Sequence, residues 1–396
     1  MSLAKNIEFL RLLPKSSKIN GLNGWSVPLG STVGNNRLVE TLSFGPNPGE
    51  LKMFSFVPGG LKRKSALVVV LHGCTQKAAG YDIGAGWSTL AERYGFTLLM
   101  PEQKTSNNAN GCFNWFMPDD VKRDSGEACS IRQMVAKMIR DHRIDHRRVF
   151  ITGLSAGGAM TSGMLATYPE VFAGGAIIAG LPFGIATNMR EALNGMFKSP
   201  SRSAREMGDL VRNASQHRGP WPKLSVWHGS ADRTVNPSNA SAIVKQWLDV
   251  HHLPSSPMSE AMVDGHLRQI WWNEYEETIV ESYTISRMSH GVPLGVGENN
   301  EQFGVEGAFQ TEVGISSSYH IARFFGLTER VHQSKAKPVP ISKRPSVFRV
   351  LGARLGLSCP YRKSHPGILV VQSASDGAAD NASDCLGGAG YRRIFV

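Results

Sequence analysis

No run of about 18 apolar residues occurs in the sequence, so no stretch is long enough to cross a bilayer as a helix. There is no Cys-x-x-Cys pair and no His/Cys cluster at zinc spacing, which removes the usual structural-metal and dithiol-redox signatures. No metal or cofactor is expected. The first twenty residues hold only a brief apolar patch, Ile7 to Leu13, broken by Glu8 and Arg11. They lack the continuous apolar segment and small-residue cleavage site of a signal peptide, so the expected location is the cytoplasm. Acidic residues are the scarcer charge: 32 Asp and Glu stand against 43 Lys and Arg, a net charge of +11. Most of the excess lies beyond Val331, in a stretch without interleaved aromatics, so no specific nucleic-acid partner is expected.

With 41% apolar residues over 396 positions, the chain has enough to bury a large α/β core. Residues 1–35 are polar and glycine-punctuated and read as a lead-in. Residues 36–328 read as one folded domain. Residues 329–396 are rich in Pro, Lys, Arg and Ser, then in Gly, Ala, Asp and Ser, and read as a basic tail with little core of its own, although Gly367 to Val371 could add a strand. Arg37 to Phe44 and Lys52 to Val57, separated by Gly45-Pro46-Asn47-Pro48-Gly49, predict an antiparallel edge hairpin. Ala66 to Leu71 is a continuous β-branched run, as expected of a parallel strand buried on both faces. Further strands are predicted at Phe96 to Met100, Ala173 to Ala179, Leu224 to Trp227, Arg268 to Trp272 and Glu277 to Ile285. Helices are predicted at Trp87 to Tyr94, Ser130 to His142, Ser238 to Val250 and Ile315 to Phe325. The alternation calls for a mostly parallel central sheet with helices on both faces. Residues 181–222 read as a partly helical cap, and 101–126 as a long loop of the kind usually tied to function.

The stretch Arg148 to Gly158 organises the rest. An apolar β-run leads into Gly153-Leu154-Ser155-Ala156-Gly157 and then a small-residue helix. That layout is a nucleophile elbow, in which a serine is lifted clear of the sheet on a sharp strand-to-helix turn. A serine needs a base, and the base needs an acid to orient it. Strand Leu224 to Trp227 runs into His228-Gly229-Ser230-Ala231-Asp232, and the strand ending near Ile285 runs into Met288-Ser289-His290. Asp232 as acid and His290 as base lie where a sheet-based triad places them. Asp232 as a plain turn residue is the alternative. His228, in the same loop as the acid, is a rival base but is expected to pack or hydrogen-bond locally, and His72, the other rival, sits at the end of the strand that should carry the oxyanion loop. His142, His146, His251 and His252 lie in charged stretches and are expected at the surface. The oxyanion hole needs two backbone N–H groups, assigned to Ala156 and to the turn after Leu71, with Cys74 favoured.

These motifs, together with Leu71-His72-Gly73-Cys74-Thr75-Gln76, Cys112-Phe113-Asn114-Trp115-Phe116 and Tyr168-Pro169-Glu170-Val171-Phe172, resemble the esterase family of poly(3-hydroxybutyrate) depolymerases over roughly residues 37–327. The resemblance implies the α/β-hydrolase fold and a serine esterase acting on hydroxyalkanoate polyester or its oligomers, with Ser155, Asp232 and His290 at the family's triad positions. Feruloyl or acetylxylan ester hydrolysis is the alternative within enzymes. A binding protein on a hydrolase scaffold is the alternative outside them, and the intact Ser, Asp and His argue against it. Many such relatives are secreted, so an extracellular location is the alternative to the cytoplasm. Trp115 has two readings: a wall over the acyl chain of the substrate, or a core anchor for its loop. Of the five cysteines, Cys74 and Cys112 either stay as thiols or form a disulfide that braces the oxyanion loop.

Overall fold

The structure is a computed structural model that describes residues 36–328 apart from Lys62, Pro200 and residues 297–302. The lead-in, the basic tail and the Gly367 to Val371 run lie outside the described residues. Ten strands form one sheet: β1 (Val39–Thr41), β2 (Lys52–Phe56), β3 (Leu67–Leu71), β4 (Thr97–Glu102), β5 (Val149–Leu154), β6 (Gly174–Ile178), β7 (Lys223–Gly229), β8 (Ser259–Val263), β9 (His266–Trp272) and β10 (Thr278–Ile285). Their order across the sheet is β1-β2-β4-β3-β5-β6-β7-β10-β9-β8. The six central strands, β4 to β10 in that order, are parallel, and antiparallel strands finish both edges. Two short strands, β11 (Val292–Leu294) and β12 (Gln310–Glu312), form a separate parallel pair.

The helices are α1 (Ala78–Ala85), α2 (Trp87–Tyr94), α3 (Pro118–Val121), α4 (Gly126–His142), α5 (Ala156–Thr167), α6 (Met189–Phe197), α7 (Ala204–Arg212), α8 (Ser238–Val250) and α9 (Ser317–Phe324). Side chains alternate across a strand, and β3 divides accordingly. Leu67, Val69 and Leu71 join the core beneath α4, α5 and α8, while Val68 and Val70 join the one beneath α1, α2 and α9. All five are completely buried. Each such side chain contributes about 1.5–3 kcal/mol, so the continuous apolar run is what holds the sheet between two helical layers.

Several elements differ from expectation. Helix α1 was not expected, because Gly80 and Gly84 break its pattern; Gly84 lies against Gln310, where a Cβ would come within 2.3 Å of the amide. Helix α4 begins four residues earlier than its apolar stripe, at Gly126. Strand β8 joins β9 through Asp264-Gly265, both at positive φ, in a two-residue hairpin. His251 is not a surface residue as expected. Its ring is half-buried, lies 5.9 Å from that of Trp247, and its Nε2 meets the Pro222 carbonyl at 3.0 Å. Burial pulls its pKa down to about 4, against the opposing pull of that carbonyl. His142 is also half-buried, whereas His146 and His252 are exposed.

Candidate active site

The parallel strands end nearly level. Leu71 pairs with Gly153, Leu154 with Ile178, Ile178 with Trp227, and Gly229 with Ile285. The turns that follow β3, β5, β7 and β10 therefore gather along one edge of the sheet, where open parallel sheets place their sites. Those turns carry Cys74, Ser155, Asp232 and His290.

Ser155 has φ 56° and ψ −116°, a conformation that side-chain-bearing residues rarely adopt. Its neighbours explain how the chain makes so sharp a turn. A Cβ on Gly153 would lie 2.4 Å from the Gly157 carbonyl, and one on Gly157 would lie 2.4 Å from the Leu71 oxygen and 2.5 Å from that of His72. Both contacts are backbone, which cannot swing aside. Gly157→Ala is therefore expected to cost about 1–3 kcal/mol or more and to push apart β3 and α5. A lowered thermal midpoint together with esterase loss is the expected readout, and a variant with wild-type values in both would contradict it. Ser155 heads α5 without using its side chain as a cap, and its backbone N–H is held by the Ile178 carbonyl at 2.9 Å. The first-turn N–H groups of α5, beginning at Ala156, have no partner within the helix.

The turn after β3 is fixed from several sides. The Gly73 N–H donates to Gln76 Oε1 at 2.9 Å, and the Thr75 N–H to the Asn110 carbonyl at 2.8 Å. Cys74 is bonded to Cys112, S–S 2.06 Å, which ties this turn to the 101–126 loop. His72 is completely buried; its Nδ1 donates to the Gly73 carbonyl at 2.8 Å and its Nε2 accepts from the Gln103 N–H at 3.1 Å. Burial lowers its pKa to about 4 against that carbonyl bond, so it is a neutral brace for the turn.

The loops carrying Asp232 and His290 are laced together. The Ala231 N–H donates to the Met288 carbonyl at 3.0 Å, the Ser230 N–H to Ile285 at 2.9 Å, and the Arg287 N–H to Ser230 Oγ at 2.8 Å. Gly229 permits this, since a Cβ there would sit 2.3 Å from the Met288 oxygen. Asp232 is buried. Its Oδ1 accepts from the Thr234 and Val235 N–H groups at 2.8 and 2.9 Å, and its Oδ2 meets His290 Nδ1 at 2.7 Å and His228 Nε2 at 3.2 Å. Burial alone would raise its pKa, but the bonds from His228 and His290 outweigh burial and hold it well below the usual carboxylate range. His228, expected to bond locally, does so; its Nε2 also reaches the Val235 carbonyl at 2.9 Å.

Ser155, Ala156, Cys74, Cys112 and Trp115 line one narrow cleft, closed by the apolar side chains of Leu181, Ala192, Met196 and Val235. Trp115 lines this cleft and also packs on the core, with its ring edge-on to Phe116 at 5.5 Å. Residues 181–222 supply α6, whose Ala192 and Met196 form the far wall, in keeping with the expected cap.

Sequence reasoning missed what holds the 101–126 loop. Glu127, completely buried at the start of α4, accepts from Gln103 Nε2 and from the Asn114 N–H; Gln103 also donates to the Cys112 carbonyl at 3.0 Å. Burial, with the Asp120 charge acting in the same direction, pushes the Glu127 carboxyl well above its ordinary range. Among the described residues no group of three or more metal-ligating side chains occurs, and no helix is long and apolar enough to cross a membrane.

A sequence profile for the family described as esterase PHB depolymerase matches residues 52–257. Poly(3-hydroxyalkanoate) depolymerase C of Paucimonas lemoignei is 45% identical over 73% of this chain and 70% of its own length. Feruloyl esterase B of Talaromyces stipitatus is 30% identical over 72% of this chain and 80% of its own, and an acetylxylan esterase of Coprinopsis cinerea is 31% identical over 65% and 70%. Among solved structures, an acetyl xylan esterase from Aspergillus awamori superposes with a TM-score of 0.62 at 23% identity, covering 73% of this chain and 99% of its own, which establishes the α/β-hydrolase fold.

Proposed function

The chain belongs to the esterase PHB depolymerase family and is a carboxylic ester hydrolase, and from that premise we propose that it cleaves poly(3-hydroxyalkanoate) or its oligomers through an acyl-enzyme on Ser155. In this mechanism His290 takes the Oγ proton as Ser155 attacks the ester carbonyl carbon. The same imidazole then returns that proton to the leaving alkoxide as the C–O bond breaks. Asp232 orients His290 through the Nδ1 bond and stabilises the imidazolium. The N–H groups of Ala156 and Cys74 receive the oxyanion, and water, activated by His290, releases the hydroxy acid. Trp115 borders the acyl group.

The observation that carries the chemistry is the 2.7 Å Asp232–His290 bond on the sheet edge that also bears the strained Ser155 turn. One observation favours a hydroxyalkanoate over a feruloyl ester, the higher identity to the depolymerase. A panel of 3-hydroxybutyrate trimer, methyl ferulate and acetylated xylo-oligosaccharide tests the substrate. The expected result is the highest kcat/KM on the trimer; a feruloyl or acetyl preference would overturn the assignment. The Cys74–Cys112 disulfide supports an oxidising compartment, and so the extracellular alternative over the cytoplasm.

A further inference from the structure

We propose that Phe309 forms a leaving-alcohol subsite, against which the next hydroxyacyl unit of the polyester packs while His290 protonates its oxygen. The inference rests on the role of His290 given above. Phe309 immediately precedes β12, and the pairing of Val292 with Gln310 brings its backbone beside His290-Gly291. The Val292 N–H donates to the Phe309 carbonyl at 2.8 Å, and a Cβ on Gly291 would lie 2.8 Å from that same oxygen. The Phe309 ring meets the His290 imidazole edge-on, with centroids 6.1 Å apart and planes at 79°. One feature is not explained by packing. Phe309 is 43% exposed, although an aromatic of this size gains most from burial. The backbone at Phe309 has φ 63°, set by the tight turn whose ends, Gly307 and Gln310, exchange backbone hydrogen bonds at 3.1 Å.

The chemistry says what that place is for. The acyl half of the ester has the enclosed cleft at Ser155, and Phe309 is not among the residues lining it. The leaving half must bring its alkoxide oxygen within hydrogen-bond reach of His290. Its carbon chain then lies over whatever flanks the imidazole outside the cleft. Phe309 offers an exposed apolar ring there, suited to the methyl and methylene groups of a 3-hydroxyacyl unit.

The test varies the leaving group while holding the acyl group constant. In the full-length enzyme, Phe309→Ala is assayed on 3-hydroxybutyrate trimer and on methyl 3-hydroxybutyrate, whose leaving alcohol is only methanol. The expected result is a fall of roughly tenfold in kcat/KM on the trimer, the scale of losing apolar contacts in a specificity pocket, with the methyl ester within about twofold of wild type. Phe309→Leu, which keeps an apolar surface, is expected to recover most of the trimer rate. Equal losses on both esters would overturn the subsite and leave Phe309 as a support for His290; no loss on either would overturn it too. A Ser155→Ala control separates the two levels, because trimer hydrolysis surviving there would bring down the acyl-enzyme mechanism itself.

Discussion

Ser155→Ala is expected to lower kcat by about 10⁵–10⁶-fold, the loss that follows removal of a nucleophile whose triad otherwise stays intact. KM is expected to change little, because the cleft walls and the Ala156 and Cys74 N–H groups remain. The fold is expected to survive. Alanine keeps the Cβ, and the tight contacts of the elbow are made by Gly153 and Gly157 rather than by the serine hydroxyl. The measurement is steady-state hydrolysis of 3-hydroxybutyrate trimer alongside the thermal midpoint. A variant retaining a tenth of the wild-type rate would rule out Ser155 as the nucleophile.

Asp232→Asn is expected to cost about 10⁴-fold in kcat, and the hydrogen bonds at Asp232 give a specific reason. Its Oδ1 accepts two backbone N–H groups, from Thr234 and Val235. An asparagine oxygen must stay on that side, since an amide NH₂ there would face two donors. The NH₂ then replaces Oδ2 and points at His290 Nδ1, which must become an acceptor. The imidazole is forced into the tautomer with its hydrogen on Nε2, where it cannot take the serine proton. His228 Nε2 also loses its acceptor at that position. The expected observation is a large fall in kcat with an unchanged circular-dichroism spectrum. Activity within tenfold of wild type would show that His290 does not depend on Asp232.

The sequence made some of this legible and concealed the rest for identifiable reasons. The elbow turn and the Asp232–His290 pairing could be anticipated because each residue follows a strand of strongly apolar residues, and in a parallel sheet the strand ends come together. The paired strand ends, such as Gly153 with Leu71 and Ile285 with Gly229, turn that sequence order into spatial proximity. The hairpin of β8 and β9 went unread, because Ser259–Val263 lies on the sheet edge with no buried side chain and so gave no apolar run. The bracing of the 101–126 loop left no local pattern at all. Its bonds join Gln103, Cys112, Asn114 and Glu127, and only folding brings them together. The Cys74–Cys112 bridge was one of two open readings, since pairing depends on distance and not on spacing in the chain. Phe309 looked ordinary in the sequence; its exposure and its positive φ are properties of the folded backbone.

The central claim, an acyl-enzyme on Ser155, is tested most directly by trapping it. The wild-type enzyme is inactivated with a p-nitrophenyl phosphotriester, whose phosphorus takes the place of the ester carbonyl carbon, and then digested and mapped by mass spectrometry. The expected result is one phosphoryl adduct per chain, on the peptide containing Ser155, formed in step with loss of trimer hydrolysis and absent when Ser155→Ala is treated alike. Full inactivation with the adduct on any other residue, or full activity with Ser155 labelled, would contradict it.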